Sequence, residues 1–183
     1  MRVTGGTGKG RKLRVPAGLR VRPTSDKVKQ ALFNIIGEKV MNSAFLDLYG
    51  GTGGVGIEAL SRGAGRVVFV DDSRDSLQVI RKNVEQTGFG ERSLVIAMRA
   101  ETFLKKTEEQ FDVVFLDPPY TLELEPLLDA VSGAGILKPD ALVVAEHFKK
   151  QPSPQQAGNL TLVRETQYGD TVLAFYKSAG SIQ

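Results

Sequence analysis

The 183-residue sequence is long enough for one domain with a sizeable core, and its 41% apolar and 25% charged residues are ordinary for a globular protein. No apolar run exceeds five residues, which excludes a membrane-spanning helix, and the basic N-terminus lacks the apolar segment of a secretory signal. Cysteine is absent and His147 is the single histidine, which excludes disulfides, a thiolate nucleophile and a multi-histidine metal centre. We therefore expect a cytoplasmic protein without membrane or metal contacts.

The first thirty residues predict a basic arm followed by a helix. They carry nine lysines and arginines against Asp26 alone, for a net charge of +8, whereas the rest of the chain carries −5. This asymmetry favours a polyanionic partner at one end of the molecule; a solvated tail that improves solubility is the alternative. Glycines interrupt short β-prone pieces, which predicts a small hairpin or an irregular arm. A helix should begin after Ser25 as N-cap and end at Gly37 or Met41.

From about residue 44 the pattern changes to short apolar strands that alternate with helices. The predicted strands cover residues 45–48, 67–70, 94–97, 113–116 and 141–145, and the predicted helices cover residues 55–61, 73–86, 100–108 and 122–132. This rhythm is typical of an α/β fold with a parallel, doubly wound sheet. The last two predicted strands, 160–166 and 172–176, flank Gly169-Asp170 and predict a β-hairpin that adds an antiparallel pair.

A glycine-rich loop joins the first strand of this series to its helix. Its spacing matches a dinucleotide-binding loop, and an acidic residue twenty positions after Gly51 could hold a ribose, which favours cofactor binding over a merely tight turn. Carboxylates beside the loop suit the ammonium and sulfonium groups of S-adenosylmethionine better than the pyrophosphate of NAD. The candidate cofactor-binding residues are Asp47, Gly50, Gly51, Gly53, Asp71 and Asp72, although Asp71 or Asp72 could instead cap the next helix.

The tetrapeptide Asp117-Pro118-Pro119-Tyr120 directly follows the predicted strand 113–116. The Asp117 carboxylate and the Pro118 carbonyl can accept hydrogen bonds from a planar amino group, and the prolines stiffen the turn that aims them. Tyr120 offers an aromatic face on which a flat base can stack. The alternative is a proline-rich turn that closes a buried strand. The motif predicts a site that holds an amine for attack on a carbon electrophile.

These two motifs together resemble class I methyltransferases that act on an exocyclic amine. Further segments make the chain similar to the RsmD family, bacterial 16S rRNA guanine-N2 methyltransferases. They are Gly10-Arg11-Lys12-Leu13, Arg22-Pro23-Thr24-Ser25-Asp26-Lys27, Gly56-Ile57-Glu58-Ala59-Leu60 and Tyr168-Gly169-Asp170-Thr171. The resemblance covers nearly the whole chain, up to about Lys177.

The resemblance implies a Rossmann-like, seven-stranded, mostly parallel sheet with a C-terminal antiparallel hairpin. It implies an RNA-contacting extension over residues 1–41 (a β-hairpin and a helix) and a methyltransferase domain over residues 42–178, before a disordered tail over residues 179–183. It also implies that Arg22 and Thr24 lie beside the cofactor. The backbone N–H of Ala100 would contact adenine, whereas Arg99 stands where relatives often carry a small polar or acidic residue, so no side-chain contact is expected there.

The resemblance further implies that Asp117 and Pro118 hold the guanine amine and that Tyr120 stacks on the unstacked base. The sequence is silent on oligomeric state, and a monomer is the default expectation. The substrate would be 16S rRNA, either naked or within a partly assembled 30S particle. The arm residues expected to hold its phosphates are Lys9, Arg11, Lys12, Arg14 and Arg20. Methylation of adenine N6 or a protein glutamine, an NAD-dependent oxidoreductase and a non-catalytic RNA-binding module remain alternatives. His147 is interpreted as a structural or surface residue.

Overall fold

The computed structural model describes residues 1–15 and 24–178, so the predictions for Arg20, Arg22 and the tail 179–183 lie outside the described residues. Five α-helices occur there: α1 (Asp26–Ile36), α2 (Gly54–Ser61), α3 (Arg74–Thr87), α4 (Ala100–Lys106) and α5 (Leu124–Gly133). Short 3₁₀ turns cover Gly37–Val40 and Gly90–Arg92. No helix in this part of the chain is long and apolar enough to cross a membrane.

The strands form one mixed sheet. They are β1 (Ala44–Leu48), β2 (Arg66–Asp71), β3 (Ser93–Ala97), β4 (Phe111–Leu116), β5 (Leu137–Phe148), β6 (Gln156–Ala157), β7 (Leu160–Tyr168) and β8 (Thr171–Ser178). Their order is β3-β2-β1-β4-β5-β8-β7-β6, in which the first five strands are parallel and the last three pairings are antiparallel. This confirms the predicted Rossmann-like sheet with its C-terminal hairpin. The described part has eight strands where seven were expected. The additional strand is the two-residue β6, which pairs with β7 across the turn that contains Gly158.

Local signals account for the helix ends that position the site. The Ser25 hydroxyl accepts a hydrogen bond from the Val28 N–H, which makes Ser25 the N-cap of α1. At the other end of α1, Gly37 adopts a φ of 58°, a left-handed value that favours glycine, so the α-helix ends there rather than at Met41. Gly88 ends α3 in the same left-handed region, as predicted.

The sheet packs helices on both faces. Helices α1, α2 and α3 share one buried cluster with one face of the central strands, and α4 and α5 share the cluster on the other face. Val3 and Leu13 of the N-terminal segment and Leu32 of α1 belong to the first cluster. The N-terminal segment is therefore built into the main core by its apolar side chains.

The N-terminal segment folds back on itself through a single antiparallel bridge between Arg2 and Lys12. The Val3 N–H donates to the Arg11 carbonyl at 2.9 Å, and the Gly10 N–H donates to the Val3 carbonyl at 2.9 Å. The expected hairpin is thus reduced to one bridge, because Gly6 and Gly10 adopt positive φ values that interrupt extended strands.

Candidate active site

Four acidic side chains form a row across four neighbouring strands, β2, β1, β4 and β5. Each lies two positions after a residue of the same core cluster, and alternate strand residues point to the same face of a sheet. The pairs are Phe69 and Asp71, Phe45 and Asp47, Phe115 and Asp117, and Val144 and Glu146. With strands about 4.8 Å apart, the row spans roughly 14 Å at the carboxyl ends of the parallel strands. Ligands of open α/β sheets bind at this end.

The glycine loop between β1 and α2 is shaped by its backbone. Tyr49, Gly51 and Gly53 all adopt positive φ values, between 56° and 74°. The Asp47 Oδ2 accepts a hydrogen bond from the Gly56 N–H at 2.9 Å, so this buried carboxyl also anchors the first turn of α2. A side chain at Gly56 would meet the Phe69 ring at 2.3 Å, which explains why α2 packs closely on the sheet at a glycine.

Asp71 holds the same loop from the next strand. Its Oδ2 accepts from the Gly51 N–H at 2.9 Å and its Oδ1 accepts from the Ser73 N–H at 2.8 Å. Ser73 itself caps α3, since its hydroxyl accepts from the Ser76 N–H. Neither Asp71 nor Asp72 is therefore the side-chain cap of this helix. The Asp71 carboxyl can also accept a hydrogen bond from a ribose hydroxyl.

A cavity of about 240 Å³ lies above this loop. Of the predicted cofactor-binding residues, Thr24, Asp47, Gly50, Gly51, Asp71 and Asp72 line it. The other two described residues of this set, Gly53 and Ala100, are not among the lining residues. Gly53 is the N-cap of α2, and Ala100 lies at the start of α4. Arg99 is paired with Glu101, their side-chain atoms 3.6 Å apart. The described residues that line the cavity include several carboxylates and no basic side chain. This lining favours a cationic ligand and disfavours a pyrophosphate.

The Asp117–Tyr120 turn connects this cavity to a second one. Asp117 and Pro119 line the first cavity. Tyr120 lines the second, which has a volume of about 210 Å³ and is also bordered by Glu146 and residues 168–171 of the β7–β8 turn. Tyr120 is 63% exposed, and its ring lies 5.6 Å from that of Phe148. Pro118, between Asp117 and Pro119 in the chain, is not among the lining residues of either cavity.

Burial among like charges raises the pKa values of the acids in this row. Burial raises the pKa of Asp47 to about 8 and that of Glu146 to about 7. Burial, followed by the charges of Glu146 and Asp47, raises the pKa of Asp117 well above its usual range. Several carboxyls with raised pKa values thus lie close together, and such clusters are common at functional sites. A bound cation would favour their ionised forms.

Glu146 is the acid that the sequence interpretation missed. It is 7% exposed, and its Oε2 accepts a hydrogen bond from the Thr24 hydroxyl at 2.8 Å. The next residue, His147, points to the other face of β5, where its Nε2 lies 2.8 Å from the Ser153 hydroxyl. His147 is buried rather than at the surface. The available signal was an acidic residue after an apolar run, the same signal that marked Asp47 and Asp71.

Four of the five predicted arm residues lie in the described part of the chain, and these four are at the surface. Lys9, Arg11, Lys12 and Arg14 are exposed, although one Arg11 Nη atom donates a hydrogen bond to the Thr87 carbonyl. The Arg14 backbone is held by Asn83, whose side chain both accepts from its N–H and donates to its carbonyl. The arm is therefore fixed by its backbone, which leaves the cationic side chains of Lys9, Lys12 and Arg14 directed to the surface.

Comparisons with known proteins agree with this geometry. A family model described as conserved hypothetical protein 95 matches residues 1–177. A Bacillus subtilis (strain 168) protein, YlbH, provisionally named an rRNA methyltransferase, is 40% identical over 184 residues, which cover 98% of this chain and 100% of that protein. The Haemophilus influenzae protein named ribosomal RNA small subunit methyltransferase D is 35% identical over 184 residues, with 97% and 94% of the two chains covered.

A solved structure shares the whole architecture. The Escherichia coli chain yhhF, provisionally named a methyltransferase, superimposes with a TM-score of 0.86 at 32% identity, and the match covers 97% of each chain. The family model spans the N-terminal segment as well as the sheet. The chain therefore belongs to the RsmD family of S-adenosylmethionine-dependent rRNA methyltransferases, as its sequence motifs predicted.

Proposed function

We propose that the protein transfers a methyl group from S-adenosylmethionine to the exocyclic N2 amine of a guanine in 16S rRNA. The observation that carries this proposal is the position of Asp117, which lines the first cavity at the point where the chain turns toward Tyr120 in the second cavity. A methyl donor in the first cavity and a base in the second would meet at this carboxyl. Thr24, Asp47, Asp71 and the glycine loop would hold the donor, and Tyr120 would stack on the base.

The residues of the site supply hydrogen-bond acceptors for the amine. The guanine N2 lone pair is delocalised into the ring, so the neutral amine is a weak nucleophile. Asp117 and the Pro118 carbonyl, by accepting its N–H groups, favour a pyramidal nitrogen and stabilise the positive charge that develops on it. When bound, S-adenosylmethionine supplies the methyl group and a positive charge that favours the ionised form of the neighbouring carboxyls. The methylated nitrogen is strongly acidic and can lose its proton to Asp117 or water.

The exposed arm supports a polyanionic substrate. A base inside a helical stack cannot reach Tyr120, so the target guanine must lie in a loop or be flipped out. The arm would hold the flanking phosphates, with residues 1–41 acting as the RNA-contacting part and residues 42–178 as the methyltransferase domain. The proposed setting is the cytoplasm, where a monomer acts on 16S rRNA that is either naked or partly assembled into the 30S subunit.

The direct test is radiolabelled methyl transfer. Wild-type protein is incubated with labelled S-adenosylmethionine and either 16S rRNA or partly assembled 30S particles from a strain that lacks the enzyme. The proposal expects label at N2 of one guanine. Label on adenine N6 or on protein would contradict the guanine assignment, and the comparison of naked RNA with particles identifies the form that is recognised.

Binding of the methyl donor should depend on pH. At pH 6 the raised pKa keeps Asp47, which lines the first cavity, largely protonated, and a cation binds its ionised form better. Affinity should therefore rise with pH from 6 to about 8, by up to about tenfold per pH unit for the proton released. Calorimetry in two buffers of different ionisation enthalpy would count the released protons. The product S-adenosylhomocysteine, which lacks the sulfonium charge, should show a weaker dependence; equal slopes would contradict this interpretation.

RNA binding should weaken as salt rises, and the arm should account for part of that dependence. Each phosphate contact contributes about 0.7 to the slope of log K against log[salt] on single-stranded RNA. Changing both Lys12 and Arg14 to glutamine should thus lower the slope by about 1.4, measured by fluorescence anisotropy with a labelled 16S rRNA fragment. Lys105→Gln, an exposed change on α4, is the matched control. An unchanged slope in the double variant would rule out phosphate contacts by these two residues.

A further inference from the structure

The second cavity contains a buried carboxylate that the proposed reaction does not use. Glu146 borders this cavity and is more than nine-tenths buried. The Thr24 hydroxyl donates to its Oε2, and within residues 1–15 and 24–178 no hydrogen bond reaches its Oε1. The second cavity is therefore bordered by a carboxylate that can accept a hydrogen bond from a bound ligand.

The sheet register places this acceptor beside Asp117. Leu116 of β4 pairs with Ala145 of β5, so the residues that follow them, Asp117 and Glu146, are level on adjacent strands. The pairing is close enough for the charge of Glu146 to act on Asp117. Tyr120 borders the same cavity as Glu146. A planar base stacked on Tyr120, with its amine held at Asp117, would therefore present the neighbouring ring position to Glu146.

The ring position beside the amine distinguishes the purines. In guanine, N1 next to the N2 amine carries a hydrogen and is a donor. In adenine, N1 next to the N6 amine carries a lone pair and is an acceptor. In its ionised form, which prevails above pH 7 for Glu146, a carboxylate accepts only, so it attracts the first arrangement and repels the second. We infer that Glu146 is a specificity-determining residue that accepts a hydrogen bond from guanine N1–H, while Thr24 holds its other oxygen in place. This inference rests on the proposed function and adds a reason for the choice of guanine.

The test uses a base that keeps the amine and loses the N1 hydrogen. 2-Aminopurine has the same exocyclic 2-amino group as guanine but a lone pair at N1. After the target position has been mapped, 16S rRNA carrying either base there is prepared by ligation with a synthetic fragment and offered as naked RNA or in reconstituted particles. Labelled methyl transfer is measured as kcat/KM for each base. Wild-type protein should prefer guanine by about 10- to 100-fold.

Glu146→Gln should remove this preference. Its amide oxygen can still accept from Thr24, and its amide N–H can donate to the N1 of 2-aminopurine. The guanine rate should fall and the 2-aminopurine rate should rise, so that their ratio approaches one. Glu108→Gln makes the same charge change at an exposed position before β4, at the opposite end of the sheet, and should keep the wild-type ratio. Thermal unfolding and donor binding check that both variants fold.

Three results separate the possibilities. Equal wild-type rates on the two bases would overturn the role of Glu146, whether or not the variant folds. A Glu146→Gln protein that slows both substrates alike, with the preference intact, would also overturn it, because that is the effect of a merely structural residue. Absence of N2 methylation of guanine by wild-type protein would instead overturn the proposed function, and the inference with it.

Discussion

Replacing Asp117 with alanine should lower methyl transfer by a factor on the order of 10² or more while leaving the fold intact. The change removes an acceptor that stabilises the charge developing on the amine nitrogen. It also removes a carboxyl whose pKa is raised by burial and by the charges of Glu146 and Asp47. Loss of such a group does not remove a favourable ion pair, so we expect no loss of stability from this source.

The experiment measures kcat by labelled methyl transfer, donor affinity by calorimetry and stability by thermal unfolding. Asp129→Ala, at an exposed position on α5, is the control for loss of an aspartate elsewhere, and it should transfer methyl groups at the wild-type rate. Near-wild-type turnover by the Asp117 variant, with donor binding intact, would contradict the catalytic role of this carboxyl. A selective loss of donor binding would assign Asp117 to the first cavity alone.

Glu58→Ala should destabilise the protein by about 3–5 kcal/mol. Glu58 is fully buried in α2, and its Oε2 lies 3.6 Å from the Nζ of Lys29, which is fully buried in α1. Its oxygens also accept from the Thr4 N–H at 2.8 Å, the Thr4 hydroxyl at 2.7 Å and the Arg62 Nε at 2.9 Å. Alanine would leave the Lys29 ammonium and the Thr4 N–H buried without this partner, which is the costly way to break a buried ion pair.

Urea unfolding at pH 7 measures this loss. Glu109→Ala is the matched control, because Glu109 forms an ion pair with Arg66 at 3.2 Å on the surface and its removal should cost at most about 1 kcal/mol. The network also joins the N-terminal segment to the two helices. Amide hydrogen exchange over residues 2–13 should therefore increase in the Glu58 variant. A loss of stability no larger than that of the control would show that Lys29 and Glu58 are not coupled in the folded protein.

Most elements could be predicted from local pattern alone. The strand at 113–116 is an apolar run buried on both faces, and the observed β4 differs from it only at its start, Phe111. β5 departs further, since it covers Leu137–Phe148 rather than residues 141–145. Pro139 and the residue after it are turn formers, and polar residues follow Ala145, so the local pattern shortened the strand at both ends. Glu146 lay in the part that was cut off.

Some residues of the candidate site could likewise be predicted from local pattern, and others could not. The acidic residues at the carboxyl ends of β1 and β2, Asp47 and Asp71, were predictable because strand, glycine loop and helix are consecutive in the chain. Their meeting with Asp117 and Glu146 depends on the order β2-β1-β4-β5, which brings together residues separated by up to 99 positions. The pairing of Lys29 with Glu58 is of the same kind. Lys29 contributes to a basic stretch in the sequence, yet in the fold it is fully buried.

The amino-acid sequence by itself determined the class of fold, the glycine loop, the turn over residues 117–120 and the family, because each depends on residues that are close together along the chain. Only the tertiary structure decided which carboxyls share one face of the sheet, how the two cavities adjoin, and which charges are buried. Those properties depend on strand order and register, which arise from crossovers between distant segments and leave no mark on the local pattern.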